Sequence, residues 1–272
     1  MTRLTTDDID DIPTNIQSHD KKIELQTGSN LAKIAAFSAG IEGSLEALFR
    51  DNKAKAVSVS SGQGVISGFS LAVSAILNHI GLRTEIATKP DVGGFAEAFK
   101  DNCKIIFAAD DEFFVGFNTR LSKISYNYEA TGRGYSAALE LKVKGLEGRK
   151  VALIGAGRVG SAAAEYMSRK GAKVFTYDPI TEKVQKLSHL FPSSVVPCAS
   201  VRDCLARSEH AFLAAPGTKF IDGPMFPEDM VFAAPALPLG FTDSGWKKLK
   251  EENLIHDNLG LGVATMAAEI IV

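Results

Sequence analysis

The amino-acid sequence lacks the features that mark several specialised classes of protein. Its three cysteines, Cys103, Cys198 and Cys204, are an odd number without C-x-x-C spacing, which favours buried thiols in a reducing compartment over a disulfide framework. Its five histidines are scattered without metal-ligand spacing, so we expect no metal site. No apolar run approaches the roughly 20 residues that cross a bilayer, and the acidic N-terminus has no signal-peptide core. We therefore expect a cytoplasmic protein without a membrane segment.

An excess of charge of one sign is also missing. The net charge of -2 creates no general attraction to nucleic acid or to an anionic membrane. Hydrophobic residues make up 45% of the chain and charged residues 23%, as in ordinary globular proteins. The 272 residues suffice for one large domain or two of ordinary size. A homodimer is the commonest assembly of such chains, and we expect one here.

The most specific segment present is residues 151–178, VALIGAGRVGSAAAEYMSRKGAKVFTYD. An apolar run leads into glycines at G-x-G-x-x-G spacing, and an amphipathic helix pattern and a second strand follow. This order predicts a βαβ unit whose glycine turn and helix N-terminus hold the pyrophosphate of a dinucleotide. We assign to the cofactor site Gly155, Gly157, Arg158, Val159 and Gly160. The alternative is an ordinary βαβ turn without a ligand, which would not explain the acid that ends the second strand.

That acid, Asp178, indicates which dinucleotide binds. A carboxylate at this position accepts hydrogen bonds from a ribose 2′-hydroxyl and repels a 2′-phosphate. The next residue is Pro179, and no arginine stands beside it to bind a phosphate. The sequence therefore favours NAD over NADP, although a solvated acid in a β–α turn is the simpler alternative.

The remainder of the C-terminal half alternates strand and helix patterns, which predicts a Rossmann-type parallel sheet. Strand patterns near residues 210–215 and 230–234 end in AAPG and PALP. Because ligands bind at the carboxyl ends of parallel strands, we assign Pro216 and Pro235 to the cofactor site. Ordinary turn chemistry explains the same prolines equally well.

The N-terminal half reads as a smaller α/β domain. Strand patterns at 56–60, 83–87 and 104–109 alternate with helix patterns at 65–78 and 95–100. A helix over 132–144 joins the halves, which predicts a substrate-binding domain of residues 1–146 and an NAD-binding domain of residues 147–272. The fold class is thus α/β, a C-terminal Rossmann-type sheet plus a smaller N-terminal α/β domain. The apolar chain end, residues 260–272, could pack back across the interface.

Two groups of polar residues in this half follow predicted strands. The Ser60–Gly64 turn could hold a polar ligand group, or Ser61 could simply cap the following helix. Asp110 and Asp111 end the third strand and could bind an amine or act as a base, or they could form a solvated turn. At the N-terminus, Thr5-x-x-Asp8 begins an amphipathic pattern that is either a helix packed on the body or a lid, and Pro13 should bend or shorten it.

A set of linked blocks gives the chain a specific resemblance: SSGQGVISGFS at 60–70, KPDVGGFAEAF at 89–99, AADDEFFVGFN at 108–118, GAGRVG at 155–160, YDP at 177–179 and LGLGVATM at 259–266. Through these blocks, and Leu4-Thr5, the chain resembles the pyrrolysine synthase family nearly from end to end. The resemblance implies NAD-dependent oxidation of L-lysine-Nε-3-methyl-D-ornithine at its terminal ornithine amine. Imine hydrolysis, ammonium release and ring closure to pyrrolysine would follow.

The resemblance also implies roles for particular residues. It makes Asp110 the carboxylate that binds the substrate ammonium and takes its proton. It makes Ser61 and Asn127 hydrogen-bonding partners of the substrate, Leu4 an apolar contact from a lid, and Phe69 a pocket wall or a helix-core residue. Two positions depart from the family pattern: Pro13 lies within the lid helix, and Tyr126 replaces a smaller polar residue.

Two other functions fit the residues less well. One is a different NAD dehydrogenase that acts on another amine or on a hydroxy acid. The other is a module that binds NAD without catalysis. All three hypotheses share the glycine turn, so the substrate has to be identified from the N-terminal half.

Overall fold

The computed structural model describes residues 4–272. The chain divides into two compact units. The first, called here the N-terminal unit, consists of Leu4–Glu24, Ser29–Gly134 and Asn258–Val272. The second, called the Rossmann unit, contains Leu25–Gly28 and Tyr135–Asp257.

Elements are numbered along the chain. Those that lie wholly or mostly in the N-terminal unit begin after a 3₁₀ turn at Thr6–Asp8: α1 Ile12–Thr27, α2 Leu31–Ser38, α3 Leu45–Phe49, β1 Lys53–Ser58, α4 Phe69–His79, β2 Arg83–Ile86, α5 Asp91–Lys100, β3 Ile105–Ala109, β4 Phe114–Asn118 and β5 Lys123–Tyr126. The helix α6, Asn127–Val143, starts in this unit and continues into the other.

The sheet of the N-terminal unit has the order β2-β1-β3-β4-β5. Its first three strands are parallel, and β4 runs antiparallel to both of its neighbours. The strand β3 is buried throughout, as expected of a strand covered on both faces. Because β4 and β5 form hairpins, β5 runs in the same direction as β1 and β3 and ends at the same edge of the sheet.

The elements of the Rossmann unit are β6 Lys150–Ile154, α7 Arg158–Arg169, β7 Lys173–Tyr177, α8 Thr181–Leu190, β8 Val195–Pro197, α9 Val201–Ala206, β9 His210–Leu213, β10 Gly217–Ile221, β11 Val231–Ala233, β12 Leu239–Phe241, α10 Asp243–Lys248 and β13 Leu254–Ile255. The main sheet is parallel in the order β13-β11-β9-β6-β7-β8. This is the strand order of the dinucleotide-binding fold, with its switch point between β6 and β9.

The C-terminal helix α11, Gly260–Ile271, lies in the N-terminal unit. It packs against α2, α3, α4 and the strands β4 and β5. Nearly all of its residues are buried, which explains its apolar composition. The sequence analysis assigned these residues to the NAD-binding domain, and the structure groups them instead with the N-terminal sheet. The division after residue 146 stays a prediction, since the boundary between the two units described here falls within α6.

One local prediction in the N-terminal half was wrong. The helix expected to begin at Val65 begins at Phe69, where Gly68 is the N-cap with φ of 80°. Ser61 therefore does not cap it. Pro13 was expected to bend or shorten a first helix that starts near Thr5. Thr5 precedes only a 3₁₀ turn at Thr6–Asp8, and α1 begins at Ile12, directly before Pro13, and continues to Thr27. Proline is tolerated in a first helical turn because its missing N–H would have no partner there.

The helix α1 is held by specific contacts within the N-terminal unit. Ile12 and Ile23 are buried. The Asp20 carboxylate accepts a hydrogen bond from the Leu31 backbone N–H at 2.6 Å and contacts His79 Nε2 at 2.6 Å. These contacts fit the packed amphipathic helix that the sequence offered beside a lid. Within residues 4–272, none of the helices combines the length and apolar character needed to cross a membrane.

Candidate functional site

The glycine turn lies between β6 and α7, at the carboxyl end of the sheet. Gly155 has φ of 100°, and a Cβ there would lie 2.7 Å from the backbone nitrogen of Ala215. A Cβ at Gly160 would overlap the carbonyl oxygen of Gly155. Both positions thus require glycine, because α7 and the end of β9 approach the turn too closely for a side chain.

Gly157 differs from the other two glycines in its surroundings. It is the N-cap of α7 with an ordinary φ of -75°, and a Cβ built on it would meet nothing within 4 Å. Packing within the protein therefore does not select this glycine. Open space at a helix N-terminus, next to a backbone without a side chain, fits the approach of an anionic pyrophosphate. The residues present are thus suited to hold a dinucleotide.

The Asp178 carboxylate lies against this turn. Its Oδ2 accepts a hydrogen bond from the Ala156 backbone N–H at 2.8 Å, and its Oδ1 accepts one from Ile180 at 2.9 Å. These bonds hold the carboxylate beside the glycines. Each carboxylate oxygen can accept more than one hydrogen bond, so both can also receive a ribose hydroxyl.

The other predicted cofactor residues surround the same strand ends. Arg158 and Val159 begin α7, where Arg158 is exposed and Val159 half-buried. Pro216 follows β9 and is exposed, and Pro235 follows β11 and is half-buried. A hydrogen bond of 3.3 Å from the Ala236 N–H to the Leu213 carbonyl joins the segment after β11 to the end of β9. Pro216 and Pro235 therefore follow adjacent strands at the edge that carries the glycine turn.

In the N-terminal unit, strand register brings predicted substrate residues to one edge of the sheet. Ser58 at the end of β1 pairs with Ala109 at the end of β3, which also pairs with Phe114. On β4, the residue after Phe114 is Val115, which pairs with Tyr126 at the end of β5. The segments that carry Ser61, Asp110 and Asn127 all leave the sheet here. We call this edge, where β1, β3 and β5 end, the Asp110 edge.

Asp110 forms the turn between β3 and β4. Its Oδ1 accepts hydrogen bonds from the backbone N–H groups of Glu112 at 2.8 Å and Phe113 at 2.6 Å. Its own N–H donates to the Phe113 carbonyl at 2.9 Å. Within residues 4–272, Oδ2 makes no hydrogen bond. The side chain is thus fixed through one oxygen, and the other oxygen can bind a cation or accept a proton.

Ser61 lies in an exposed loop, Ser60–Gly64, which we call the serine loop. Gly62 and Gly64 both have positive φ, of 62° and 65°, so the loop turns sharply. Two carboxylates, Asp91 and Asp111, accept hydrogen bonds from its backbone at Ser60 and Gln63. Asp91 was not predicted from the sequence to have a role here. The sequence feature that could have identified it is a charged residue directly after Pro90, at the start of a helix.

Phe69 and Leu4 complete the predicted apolar contacts. The Phe69 ring is half-buried and meets the Phe114 ring edge-on, with centroids 5.1 Å apart. Phe69 thus lies at the Asp110 edge. Because its ring is only half-buried, it fits both predicted roles, a pocket wall and a residue of the helix core. Leu4 is half-buried, just before the 3₁₀ turn. That turn is joined to the segment before α11 by a hydrogen bond of 2.7 Å from Asn258 Nδ2 to the Asp8 carbonyl.

Asn127 is the first residue of α6 and faces the C-terminal helix. Its Nδ2 contacts the Met266 sulfur at 3.5 Å. A Cβ at Gly262 would lie 2.8 Å from the same Nδ2 and 2.6 Å from the Thr131 hydroxyl. Tyr126, the departure from the family pattern, stacks on Tyr128 with ring centroids 5.5 Å apart. Two neighbours of Asn127, Gly262 and Met266, are distant in sequence and were not predicted.

The described part of the chain also contains no group of three or more His, Cys, Asp and Glu side chains arranged to hold a metal ion. The acidic side chains at the Asp110 edge are instead hydrogen-bonded to backbone N–H groups, as with Asp110, Asp91 and Asp111.

Comparison with known proteins finds relatives along the whole chain. Residues 8–125 match the family model for the N-terminal domain of the pyrrolysine biosynthesis protein PylD. Pyrrolysine synthase of Methanosarcina barkeri is 27% identical over 271 residues, covering 100% of this chain and 98% of that protein. Pyrrolysine synthase of Methanosarcina acetivorans is 28% identical over 272 residues, covering 100% of both.

The Rossmann unit has its own match. Residues 116–223 match the model for the NAD-binding domain of D-isomer-specific 2-hydroxyacid dehydrogenases. The structure of quinate dehydrogenase from Corynebacterium glutamicum in complex with NAD has a TM-score of 0.52 at 14% identity, covering 80% of this chain and 92% of that one, a likeness of fold. The cofactor is NAD, as the sequence predicted. The chain is therefore an oxidoreductase with an NAD-binding domain.

Proposed function

We propose that this protein is a pyrrolysine synthase that oxidises the terminal ornithine amine of L-lysine-Nε-3-methyl-D-ornithine. One observation carries the proposal. The β-strand register brings Ser61, Asp110 and Asn127, which the family resemblance assigns to the substrate, to one edge of the unit that matches the PylD model. This edge combines a carboxylate, a hydroxyl and an amide, which suit a substrate with several amine and carboxylate groups.

Asp110 is proposed to bind the substrate ammonium and to take its proton. An alkylammonium has an unperturbed pKa of about 10.4, and it must lose a proton before a hydride can leave the adjacent carbon. The Asp110 turn holds Oδ1 with two backbone N–H groups and leaves Oδ2 for the substrate. An anion at this position attracts the cation and can accept the proton from it.

Ser61 and Asn127 are proposed to hold the polar groups of the substrate. The Ser61 hydroxyl is both a donor and an acceptor, as the Asn127 amide is. Phe69 offers an apolar wall beside them through its contact with Phe114. Leu4 is proposed as an apolar contact that, with α1, restricts access of water before the imine forms.

When bound, NAD accepts the hydride from the carbon that carries the terminal amine. The proposed sequence on the substrate then balances without another reactant. The imine adds water and releases ammonia, which leaves an aldehyde. The ornithine α-amine attacks this aldehyde and water leaves, closing the pyrroline ring. The net change in the conjugate is the loss of two hydrogens and one ammonia.

The experiment that tests the proposal incubates purified protein with NAD and the lysine–ornithine conjugate. We expect NADH formation together with a product whose mass corresponds to the loss of ammonia and two hydrogens. Free lysine and free ornithine are the control substrates and should give weak turnover or none. NADP should replace NAD poorly, because Asp178 repels a 2′-phosphate.

Other outcomes would contradict the proposal in distinguishable ways. NADH formation from other amines or hydroxy acids, with the conjugate unchanged, would indicate a different dehydrogenase. NAD binding without reduction across a broad amine panel would indicate a sensing module. We further propose that the enzyme is a cytoplasmic homodimer, the commonest assembly among oligomers, and its mass in solution checks this.

A further inference from the structure

The serine loop is held at both ends by carboxylates to which the proposed reaction gives no role. Asp91 binds the loop at its first residue, Ser60, and Asp111 binds it at Gln63. Ser61 lies between these two points. The loop is exposed and contains two glycines with positive φ, so it has little apolar packing to fix its conformation. Besides a hydrogen bond of 3.0 Å from the Gly64 N–H to the Ser61 carbonyl, these two carboxylates contribute to its geometry.

Asp91 makes a two-point contact with Ser60. Its Oδ1 accepts a hydrogen bond from the Ser60 N–H at 2.7 Å, and its Oδ2 accepts one from the Ser60 hydroxyl at 2.6 Å. These bonds hold the pKa of the Asp91 carboxyl below its ordinary value. Asp91 also has φ of 55°, in the left-handed region. Non-glycine residues persist in this region where surrounding contacts enforce it, often at functional sites.

Asp111 connects the serine loop with the turn that contains Asp110. Its Oδ2 accepts a hydrogen bond from the Gln63 N–H at 2.9 Å. A Cβ at Gly62 would overlap the Asp111 carboxylate, so the loop lies directly on this side chain. Asp110, the preceding residue, is fixed by its own hydrogen bonds within the turn. The distance between Ser61 and Asp110 is thus set through a short chain of hydrogen bonds.

We propose that Asp91 and Asp111 are positioning residues that hold Ser61 in register with Asp110 and so set the affinity for the polar groups of the substrate. The inference rests on the proposed function for its account of what Ser61 binds. The bracing of the loop is independent of the substrate. A carboxylate is well suited to this role, since hydrogen bonds to a charged acceptor are stronger than those between neutral groups.

The obvious alternative is that Asp111 is itself the base and Asp110 only shapes the turn. The two roles respond differently to amide substitution. Asparagine keeps an oxygen that can accept the Gln63 N–H, so it can brace the loop. It cannot take a proton from an ammonium. Asp111→Asn therefore distinguishes bracing from proton transfer, and Asp111→Ala removes both.

The test compares wild-type protein with Asp111→Ala, Asp111→Asn and Asp91→Gly. Glycine at position 91 accepts φ of 55° without strain, so this variant removes the carboxylate without forcing a change of backbone conformation. The control is Asp51→Asn, which removes one exposed charge from the same unit away from the loop. Hydrogen–deuterium exchange of peptides covering residues 58–70 measures bracing without substrate. Steady-state kinetics with the conjugate measure its effect on KM and kcat, and circular dichroism checks that each variant is folded.

We expect Asp111→Ala and Asp91→Gly to accelerate exchange in the loop and to raise KM about tenfold, the effect of losing one charge-assisted hydrogen bond. Asp111→Asn should restore KM to within about threefold of wild type and should keep turnover. The control should match wild type. Exchange unchanged from wild type in both Asp111→Ala and Asp91→Gly would overturn the proposal, and so would loss of turnover in Asp111→Asn.

The two readouts separate this inference from the proposed function. If the wild-type protein does not oxidise the conjugate, the proposed function fails, and accelerated exchange in Asp111→Ala still supports bracing. If the conjugate is oxidised and exchange and KM stay unchanged in the variants, the positioning role fails while the proposed function stands.

Discussion

The glycine turn and the Asp110 edge both lie where parallel strands end, yet they are built in opposite ways. The turn is made almost entirely of consecutive residues, from Gly155 to Gly160. Asp178 joins them from the end of the neighbouring strand. The Asp110 edge is assembled from separate segments that follow β1, β3 and β5. The helix α11 also contributes, through Met266.

This difference explains what each region reveals. A dinucleotide phosphate is bound largely by backbone N–H groups, and glycines leave room for it to approach them. Such a site can therefore be recognised in the sequence from the spacing of its glycines. A substrate with amines and carboxylates is bound by side chains, and these are brought together by strand register. The first site identifies a cofactor that many dehydrogenases share. The second site is made of side chains from separate segments, and we expect it to carry the information about the substrate.

Replacing Asp110 by asparagine tests the Asp110 edge with the largest expected effect. The introduced amide keeps an Oδ1 for the N–H groups of Glu112 and Phe113, so the turn is retained. The negative charge and the proton acceptor are lost. We expect kcat for the conjugate to fall about 10²- to 10⁴-fold, the usual contribution of a general base. The measurement is NADH formation under saturating substrate.

NAD binding, measured by calorimetry, should be unchanged in Asp110→Asn, because the substitution is in the other unit. Asp51→Asn serves again as the exposed-charge control. Full activity in Asp110→Asn would remove Asp110 from the proposed chemistry and make another group responsible for the proton.

The glycine turn offers a matched pair of substitutions with a smaller effect on the reaction. A Cβ at Gly160 overlaps the Gly155 carbonyl, whereas a Cβ at Gly157 meets nothing. We therefore expect Gly160→Ala to lower the melting temperature without NAD and, because the turn is displaced, to weaken NAD binding as well. Gly157→Ala should keep the melting temperature and weaken NAD binding about tenfold, since only the ligand approaches there.

Thermal unfolding with and without NAD measures both effects, because a ligand that binds the native state raises its stability. The interpretation of Gly157 as the phosphate-facing glycine would be wrong if Gly157→Ala destabilised the ligand-free protein as strongly as Gly160→Ala does.

The sequence predicted five of the six strands of the main Rossmann sheet, because each of these five is a short apolar run followed by a turn. The sixth, β13, has only two residues and was not predicted. The sequence prediction placed β1 too late, at residues 56–60, since Lys53 and Lys55 do not suggest a strand. Lys55 is nonetheless buried, and its Nζ lies 2.7 Å from Asp101 and 3.0 Å from Glu85. Partners this far along the chain cannot be identified from local sequence. Lys55 was therefore left out of the predicted strand β1 because it is charged.

The candidate site shows the same limit. Asp110 and Ser61 follow strands and could be singled out as polar residues at strand ends. Asn127 required β5, and neither β4 nor β5 was predicted, because hairpins depend on pairing between strands. The bracing by Asp91 depends on a contact between two loops. The sequence therefore predicts which residue types follow the strands, and only the register determines which of them meet.

The smallest expected effect is that of substituting Gly262. This substitution allows a glycine of the N-terminal unit to be compared with the glycines of the turn. Gly262 lies on α11 with its α-carbon facing α6, where a Cβ would lie 2.8 Å from Asn127 Nδ2 and 2.6 Å from the Thr131 hydroxyl. Because the contacts are the ends of side chains, Gly262→Ala should displace the Asn127 amide without unfolding the unit. We expect KM for the conjugate to rise a few-fold, since one neutral hydrogen bond contributes about 0.5–1.5 kcal/mol. The kcat should be unchanged.

The informative control is Gly262→Ala combined with Thr131→Ala, which removes the hydroxyl that the new Cβ would meet at 2.6 Å. If displacement of α6 rather than of the amide raises KM, the second substitution should lower it again. If KM is unchanged in Gly262→Ala while the protein stays folded, the orientation of Asn127 is not what the glycine protects. In that case Gly262, unlike Gly157, would serve packing alone, and the C-terminal helix would contribute stability to the Asp110 edge without shaping its affinity.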